Sequence, residues 1–201
     1  MNKLLFLLLS FFLPIQGNCF EKLSSDYLII FGNPEAPVKI VQYFSFTCPH
    51  CLSIYRDDFK TIKSKYIDTN QVTWTYHPVP MDFLTVQAMD CLEKLSDREK
   101  RIFLESIMDV MPLDDAKLTV CYMEKAMELF EKPIKHLAEK DYLSKARAFQ
   151  DAFLFIKQPD KINAVPTLEI NDKLFLNDVP DIAFIDKQME FIKKIKFGED
   201  K

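Results

Sequence analysis

The sequence predicts an α/β protein, built as a small α/β domain that is interrupted by a block of helices. Three observations carry that expectation. Strand-like runs stand at residues 38–44, 71–76 and 167–176. Between the second and third of them, residues 83–157 read as helices throughout. A pair of closely spaced cysteines, Cys48-Pro49-His50-Cys51, lies where the first strand runs into a helix.

The N-terminal residues are expected to stand apart from the fold. Lys3 supplies a short positive start, and residues 4–13 are apolar except for Ser10. Pro14 and Gly17 end that run. About ten apolar residues are too few to cross a bilayer, and the pattern is that of a secretory signal peptide over residues 1–19. Cleavage after Cys19 puts Gly17 and Cys19 at the two small-residue positions. A lipid anchor on Cys19 is the rival reading. Gln16 and Asn18 speak against it, because a lipobox has an aliphatic and a small residue there.

Removing residues 1–19 leaves 182 of the 201 residues and takes the formal net charge from −4 to −5, since Lys3 is the only charge lost. A mildly acidic chain without a basic run argues against nucleic acid as a partner. The length fits one large domain, or a small one carrying an insertion. Only three glycines against eighteen phenylalanines point to a helix-rich body with ample aromatic surface to bury.

Residues 33–37 (Asn33-Pro34-Glu35-Ala36-Pro37) form a turn-rich lead-in to the first strand. Residues 38–44 are apolar at most positions, as in a central strand covered on both faces. After the cysteine pair, Leu52, Tyr55, Phe59, Ile62 and Tyr66 recur at three- and four-residue steps, a helical stripe. Pro49 falls in the first turn, where its missing N–H costs nothing. Residues 71–76 alternate as a second strand, which His77-Pro78-Val79-Pro80 is expected to stop. Strand, helix, strand makes a βαβ unit. This first part of the α/β domain spans residues 20–81.

The inserted helical domain spans residues 82–157. Ser96-Asp97-Arg98-Glu99 is a capping-box pattern. Met111-Pro112 and Lys132-Pro133 punctuate the helices, and Leu143, Ala146, Phe149, Phe153 and Ile156 share one face of the last. Residues 158–201 complete the α/β domain with a hairpin over 167–176 and an amphipathic closing helix over 182–195. The Asn171-Asp172 turn lacks the preferred second-position glycine, so its type stays open.

Two cysteines separated by two residues can close a small disulfide. At a helix N-terminus, free N–H groups and the helix dipole favour a thiolate, the species that attacks or leaves in disulfide exchange. The bland alternative is a zinc half-site, but four-cysteine zinc sites show two such pairs. Cys91 and Cys121 stand thirty residues apart, and neither His77 nor His136 is suitably spaced. No metal and no bound cofactor are expected. His77 and His136 read as surface or packing residues. Met81, Met89, Met108, Met111, Met123 and Met127 read mostly as core filler, and Lys132, Lys135 and Lys140 as a solvated face. If Cys48 pairs with Cys51, Cys91 and Cys121 are left either as a structural disulfide between two helices or as separate buried residues.

The stretch Phe44-Ser45-Phe46-Thr47-Cys48-Pro49-His50-Cys51, followed far downstream by Val165-Pro166-Thr167, resembles the DsbA family of periplasmic thiol:disulfide oxidoreductases. The resemblance covers residues 32–195. It implies a thioredoxin-like fold with an inserted helical domain, in agreement with the order of elements above. Cys48 would then be the reactive cysteine and Cys51 the buried resolving one. Pro49 and His50 complete the redox motif, with His50 stabilising the Cys48 thiolate. Val165, Pro166 and Thr167 would form the substrate-binding loop, with Pro166 a cis-proline and the Val165 N–H and C=O free to pair with a substrate strand. Pro-His between the cysteines resembles the strongly oxidising branch. Two positions depart from the pattern: Ala164 stands where glycine is common, and Gln42 stands where an acid often sits on the central strand.

What the resemblance implies is an exported dithiol oxidase in the periplasm. Its substrates would be reduced or misoxidised exported proteins, and its reoxidant a membrane DsbB-like quinone reductase. A monomer is expected. The closest rival keeps the fold but runs as a reductase fed by a membrane electron donor. An isomerase would need a dimerisation segment, for which the residues between 20 and the first strand are too few. A third reading, from another class, is a chaperone-like binding module with an idle cysteine pair.

Overall fold

β-Branched and aromatic residues form the central strands. In the computed structural model, which describes residues 23–109, 116–132, 147–157, 162, 164–176 and 181–197, five strands make one sheet. They are β1 (Ile29–Phe31), β2 (Val38–Phe44), β3 (Val72–Pro78), β4 (Thr167–Ile170) and β5 (Lys173–Leu176), in the spatial order β1-β3-β2-β4-β5. The β2–β3 pair is parallel and the other three pairs are antiparallel.

Two strand features differ from the expectation. β1 adds an edge strand that the sequence reading did not include, and β3 runs on through His77 and Pro78 instead of stopping before them. The parallel ladder explains the second point. Phe44 pairs opposite Pro78, and its carbonyl accepts the Val79 N–H at 2.7 Å, so the donor that proline lacks comes from the next residue. His77 is therefore a fully buried core residue, tilted against Tyr43 at 4.8 Å between ring centroids.

Helix α1 begins at Pro49–Ser53 and continues without a break to residue 67. Its segments Ile54–Phe59 and Lys63–Ile67 have wider, π-helical turns, as in the bond from Asp68 N–H to Lys63 O at 2.9 Å. The expected stripe of Leu52, Tyr55, Phe59, Ile62 and Tyr66 is buried along its whole length. It packs on the sheet face formed by Ile40, Phe44, Trp74 and Tyr76. Phe59 is central there, with ring centroids 5.1 Å from Phe31, 5.2 Å from Tyr76 and 5.9 Å from Trp74. The other sheet face buries Tyr43 with Tyr27, Val79, Ala148 and Phe155. Strand alternation puts Gln42 on the α1 face with Ile40 and Phe44.

Among the described residues, four helices lie between β3 and β4: α2 (Phe83–Leu92), α3 (Asp97–Met108), α4 (Ala116–Leu129) and α5 (Arg147–Ile156). α2 packs against both α4 and α5, and α3 packs against α4 and β1. The capping box at Ser96 and Glu99 is complete, with the Ser96 N–H donating to Glu99 Oε2 at 2.7 Å. Met111, Pro112, Pro133, Lys135, His136, Lys140, Leu143, Ala146 and the segment 1–22 with Cys19 lie outside the described residues.

The hairpin between β4 and β5 turns through Asn171 (φ 45°) and Asp172 (φ 65°). Two left-handed residues in a row define a type I′ turn, which the missing glycine had left open. Asn171 also clamps β2: its N–H donates to Lys39 O at 3.0 Å, and its Oδ1 accepts the Lys39 N–H at 2.9 Å. The last helix, α6 (Ile182–Phe197), is tied to α1. Asp58 Oδ1 accepts the Ile182 N–H at 3.2 Å, and Tyr66 Oη donates to Asp186 at 2.6 Å. Among the described residues no helix is long and apolar enough to cross a membrane.

Candidate active site

The cysteine pair sits where β2 hands over to α1. After Phe44, the residues Ser45, Phe46 and Thr47 turn the chain, and the Cys48 N–H closes the turn on Ser45 O at 3.2 Å. Cys48 is the N-cap of α1, with extended backbone angles of φ −81° and ψ 113°. Its sulfur takes the place of the usual hydroxyl or carboxylate cap and accepts the Cys51 N–H at 3.2 Å. Pro49 occupies the first helical position, and Leu52 N–H closes the first turn on Cys48 O at 3.1 Å.

The two sulfurs differ sharply. Cys48 is half-buried, whereas Cys51 is fully buried. A hydrogen bond from the Cys51 thiol, followed by the Cys51 and His50 backbone N–H groups, pulls the Cys48 pKa down from 9.0 to about 7, against the opposing effect of burial. The same thiol–thiol hydrogen bond, together with burial, pushes Cys51 well above its ordinary value. The pair therefore holds one ready thiolate and one thiol that keeps its proton. His50 contributes through its main chain, and its side chain is exposed at the helix end.

The downstream loop meets Cys48 in space. The Val165–Pro166 peptide is cis, and the Cys48 sulfur lies 3.8 Å from Val165 O, bringing together residues 117 positions apart. Val165 and Pro166 are partly exposed beside the sulfur. Thr167 is different. It is fully buried and its Oγ1 donates to Ala164 O at 2.9 Å, so its side chain holds the loop and does not face a substrate. Residue 167 already belongs to β4, at the end of the loop expected to bind substrate.

Cys91 lies buried on α2 and Cys121 half-buried on α4, and both carry free thiols, as do Cys48 and Cys51. Burial pushes the Cys91 thiol up to about 12. Gln42 is fully buried on the α1 face, and neither end of its amide has a hydrogen-bond partner among the described residues. A neutral amide thus occupies the place under α1 where the family resemblance implies an acid. Sequence reasoning missed Asp82, whose carboxylate accepts hydroxyls from both Ser45 (2.7 Å) and Thr47 (2.9 Å) just upstream of Cys48. The available signal was an Asp directly before the first helical residue of α2.

A half-exposed, stabilised thiolate next to a buried thiol is the arrangement that dithiol–disulfide exchange needs, because the attacking and the departing sulfur must differ in access and acidity. Comparison with known proteins agrees. The profile of the thioredoxin family matches residues 24–188. A Rickettsia typhi protein, provisionally named a protein-disulfide oxidoreductase, is 44% identical over 46 residues, which are 23% of this chain and 17% of that protein. The chain therefore spans under a fifth of the length of that relative. The thiol:disulfide interchange protein DsbA of Buchnera aphidicola is 25% identical over 98% of each chain. Among solved structures, BdbD of Bacillus subtilis in its oxidised form aligns with a TM-score of 0.63 at 23% identity, covering 85% of this chain and 95% of BdbD. The α-DsbA1 of Wolbachia pipientis aligns with a TM-score of 0.62 at 20% identity, covering 89% and 97%. The chain belongs to the thioredoxin family, and its fold is the one seen in DsbA proteins, with the Cys48–Cys51 pair at the start of α1.

Proposed function

We propose that this protein is an exported thiol:disulfide oxidoreductase that works as a dithiol oxidase. The observation that carries the reading is the unsymmetrical sulfur pair, with Cys48 open beside the Val165 carbonyl and Cys51 buried behind it. In the oxidised protein a substrate thiolate attacks Cys48. The Cys48–Cys51 bond breaks, its electron pair leaves on Cys51, and Cys51 then takes up a proton. A second substrate thiolate attacks the substrate sulfur of the mixed disulfide. Cys48 departs as a thiolate, and the substrate leaves with a new disulfide. Two electrons have moved from the substrate dithiol to the cysteine pair. A DsbB-like membrane quinone reductase is the class of partner that would remove them. The Val165 N–H and C=O would pair with an extended substrate chain, with exchange confined to the first sulfur. Export rests on the apolar leader of residues 4–13, and a monomer in the periplasm completes the reading.

One observation favours the reductase as a second reading. The Cys51 thiol and the helix-end N–H groups pull the Cys48 pKa down to about 7. That is the value of thioredoxin-type cysteines, roughly 7, whereas strong oxidants lie at about 3.5. The equilibrium reduction potential of the pair against glutathione separates the two. A potential of about −120 mV is expected for the oxidase, and one of about −270 mV would move the assignment to a reductase. Replacing Cys48 with Ser tests the binding-module alternative, since chain binding would survive that change and exchange would not.

A further inference from the structure

The carboxylate of Asp82 joins two parts of the molecule that lie far apart in the chain. It stands at the residue before α2, where β3 has ended and the helical block begins. Its Oδ1 accepts the Thr85 N–H at 2.8 Å, an ordinary helix N-cap. Its Oδ2 accepts three hydroxyls: Ser45 Oγ at 2.7 Å, Thr47 Oγ1 at 2.9 Å and Thr85 Oγ1 at 2.8 Å. A cap needs only the contacts to residue 85. Those to Ser45 and Thr47 reach back 37 and 35 residues, to the turn that delivers Cys48.

The turn is locked from several sides. Ser45 Oγ lies 2.8 Å from Thr47 Oγ1 and 3.0 Å from Thr85 Oγ1. The Thr47 N–H donates to Ser45 Oγ at 3.1 Å, and the Phe46 N–H donates to Thr85 Oγ1 at 3.2 Å. Ser45 O in turn accepts the Cys48 N–H. Hydrogen bonds to an ionised carboxylate are about twice as strong as neutral ones, so Asp82 is the firmest anchor of this network.

We propose that Asp82 is a positioning residue for the redox pair: it fastens Ser45 and Thr47 to the first turn of α2 and so holds the Cys48 sulfur over the Cys51 N–H. The inference rests on the reading of Cys48–Cys51 as a dithiol-exchange centre. Its sign separates it from a simple charge effect. A nearby negative charge disfavours a thiolate, so removing Asp82 for its charge alone would favour the Cys48 thiolate. Removing it as an anchor loosens the sulfur from its N–H donors and disfavours the thiolate.

The test compares the full-length protein with Asp82→Ala, Asp82→Asn and Thr47→Val. Cys48 is titrated by thiolate absorbance and the pair is equilibrated with glutathione. Asp82→Ala is expected to raise the Cys48 pKa by about one and, with the equilibrium read at about pH 9 where the thiolate predominates in every variant, to shift it about tenfold toward the disulfide form. Asp82→Asn keeps the Thr85 cap and one acceptor, so it recovers part of that shift. Thr47→Val changes an exposed residue without altering charge, and keeps the test alive if Asp82→Ala folds poorly. Its shift is expected in the same direction and about threefold. A lowered Cys48 pKa in Asp82→Ala overturns the positioning role in favour of a charge effect. Unchanged titration in all three variants overturns it as well and leaves Asp82 a helix cap. A wild-type pair that fails to exchange with glutathione overturns the dithiol reading itself.

Discussion

Cys48 and Cys51 show how two identical side chains are made chemically unlike. The larger cause of the low Cys48 pKa is the thiol of its own partner, ahead of the helix-end N–H groups. Cys51→Ala is therefore expected to raise the Cys48 pKa from about 7 toward 9.0, and titration of the thiolate absorbance checks it. A pKa left at about 7 would assign the whole effect to the backbone. The same shift couples redox state to stability. Cys48 is depressed in the folded reduced protein, so it contributes stability that is fully present above pH 9 and is lost as pH falls through 7. Cys51 is raised, so its contribution is present below pH 9 and is lost as pH rises further. The disulfide form carries neither titration. The stability of the reduced protein relative to the oxidised one is thus expected to climb from pH 7 to a maximum near pH 9. Urea titrations of both forms across that range measure it, and a flat difference would mean that Cys48 is not depressed. Gln42 adds a neutral amide under α1, unpartnered among the described residues, so no carboxylate at that position contributes a titration of its own.

Strands and helices were legible to different degrees. β2, α1, the β4–β5 hairpin and the capping box at Ser96 were readable because each has its own period or cap chemistry. β1 was not, since three residues are too few to show an alternation. It forms because Ile29, Ile30 and Phe31 pair with Tyr76, Thr75 and Trp74. The chain leaves β1 through Gly32 at φ +90°. A Cβ there would lie 2.7 Å from Val72 O and 2.8 Å from Ile67 Cγ2. Gly32→Ala is expected to cost at least about 1 kcal/mol from the backbone angle alone, and more from the clash. Chemical denaturation would show it, and an unchanged midpoint would mean that the edge strand contributes little. β3 was underestimated for a related reason: Pro78 reads as a stop in isolation but not beside Phe44, whose carbonyl takes its bond from Val79.

The molecule as a whole is held by the layer between α1 and the sheet. Phe59 is fastened there by four aromatic neighbours, Phe31, Tyr55, Trp74 and Tyr76. Phe59→Ala is expected to cost about 3–5 kcal/mol, as for other large buried aromatics, while leaving the Cys48 turn in place. Calorimetry of the reduced protein tests this, and a loss under about 1 kcal/mol would mean that the layer collapses readily onto the cavity. The order of elements, the interruption by helices and a redox pair at a helix start were determined by the sequence itself, because spacing, periodicity and turn residues are local properties of the chain. The approach of Val165 to Cys48 was anticipated only through family resemblance, since nothing local links residues 117 apart. Tertiary structure alone decided that Thr167 turns inward, that His77 belongs to the core, and that Asp82 grips the turn before Cys48. Each of these depends on polar or sulfur atoms being brought together by the packing of separate elements, and no pattern within one element records that distance.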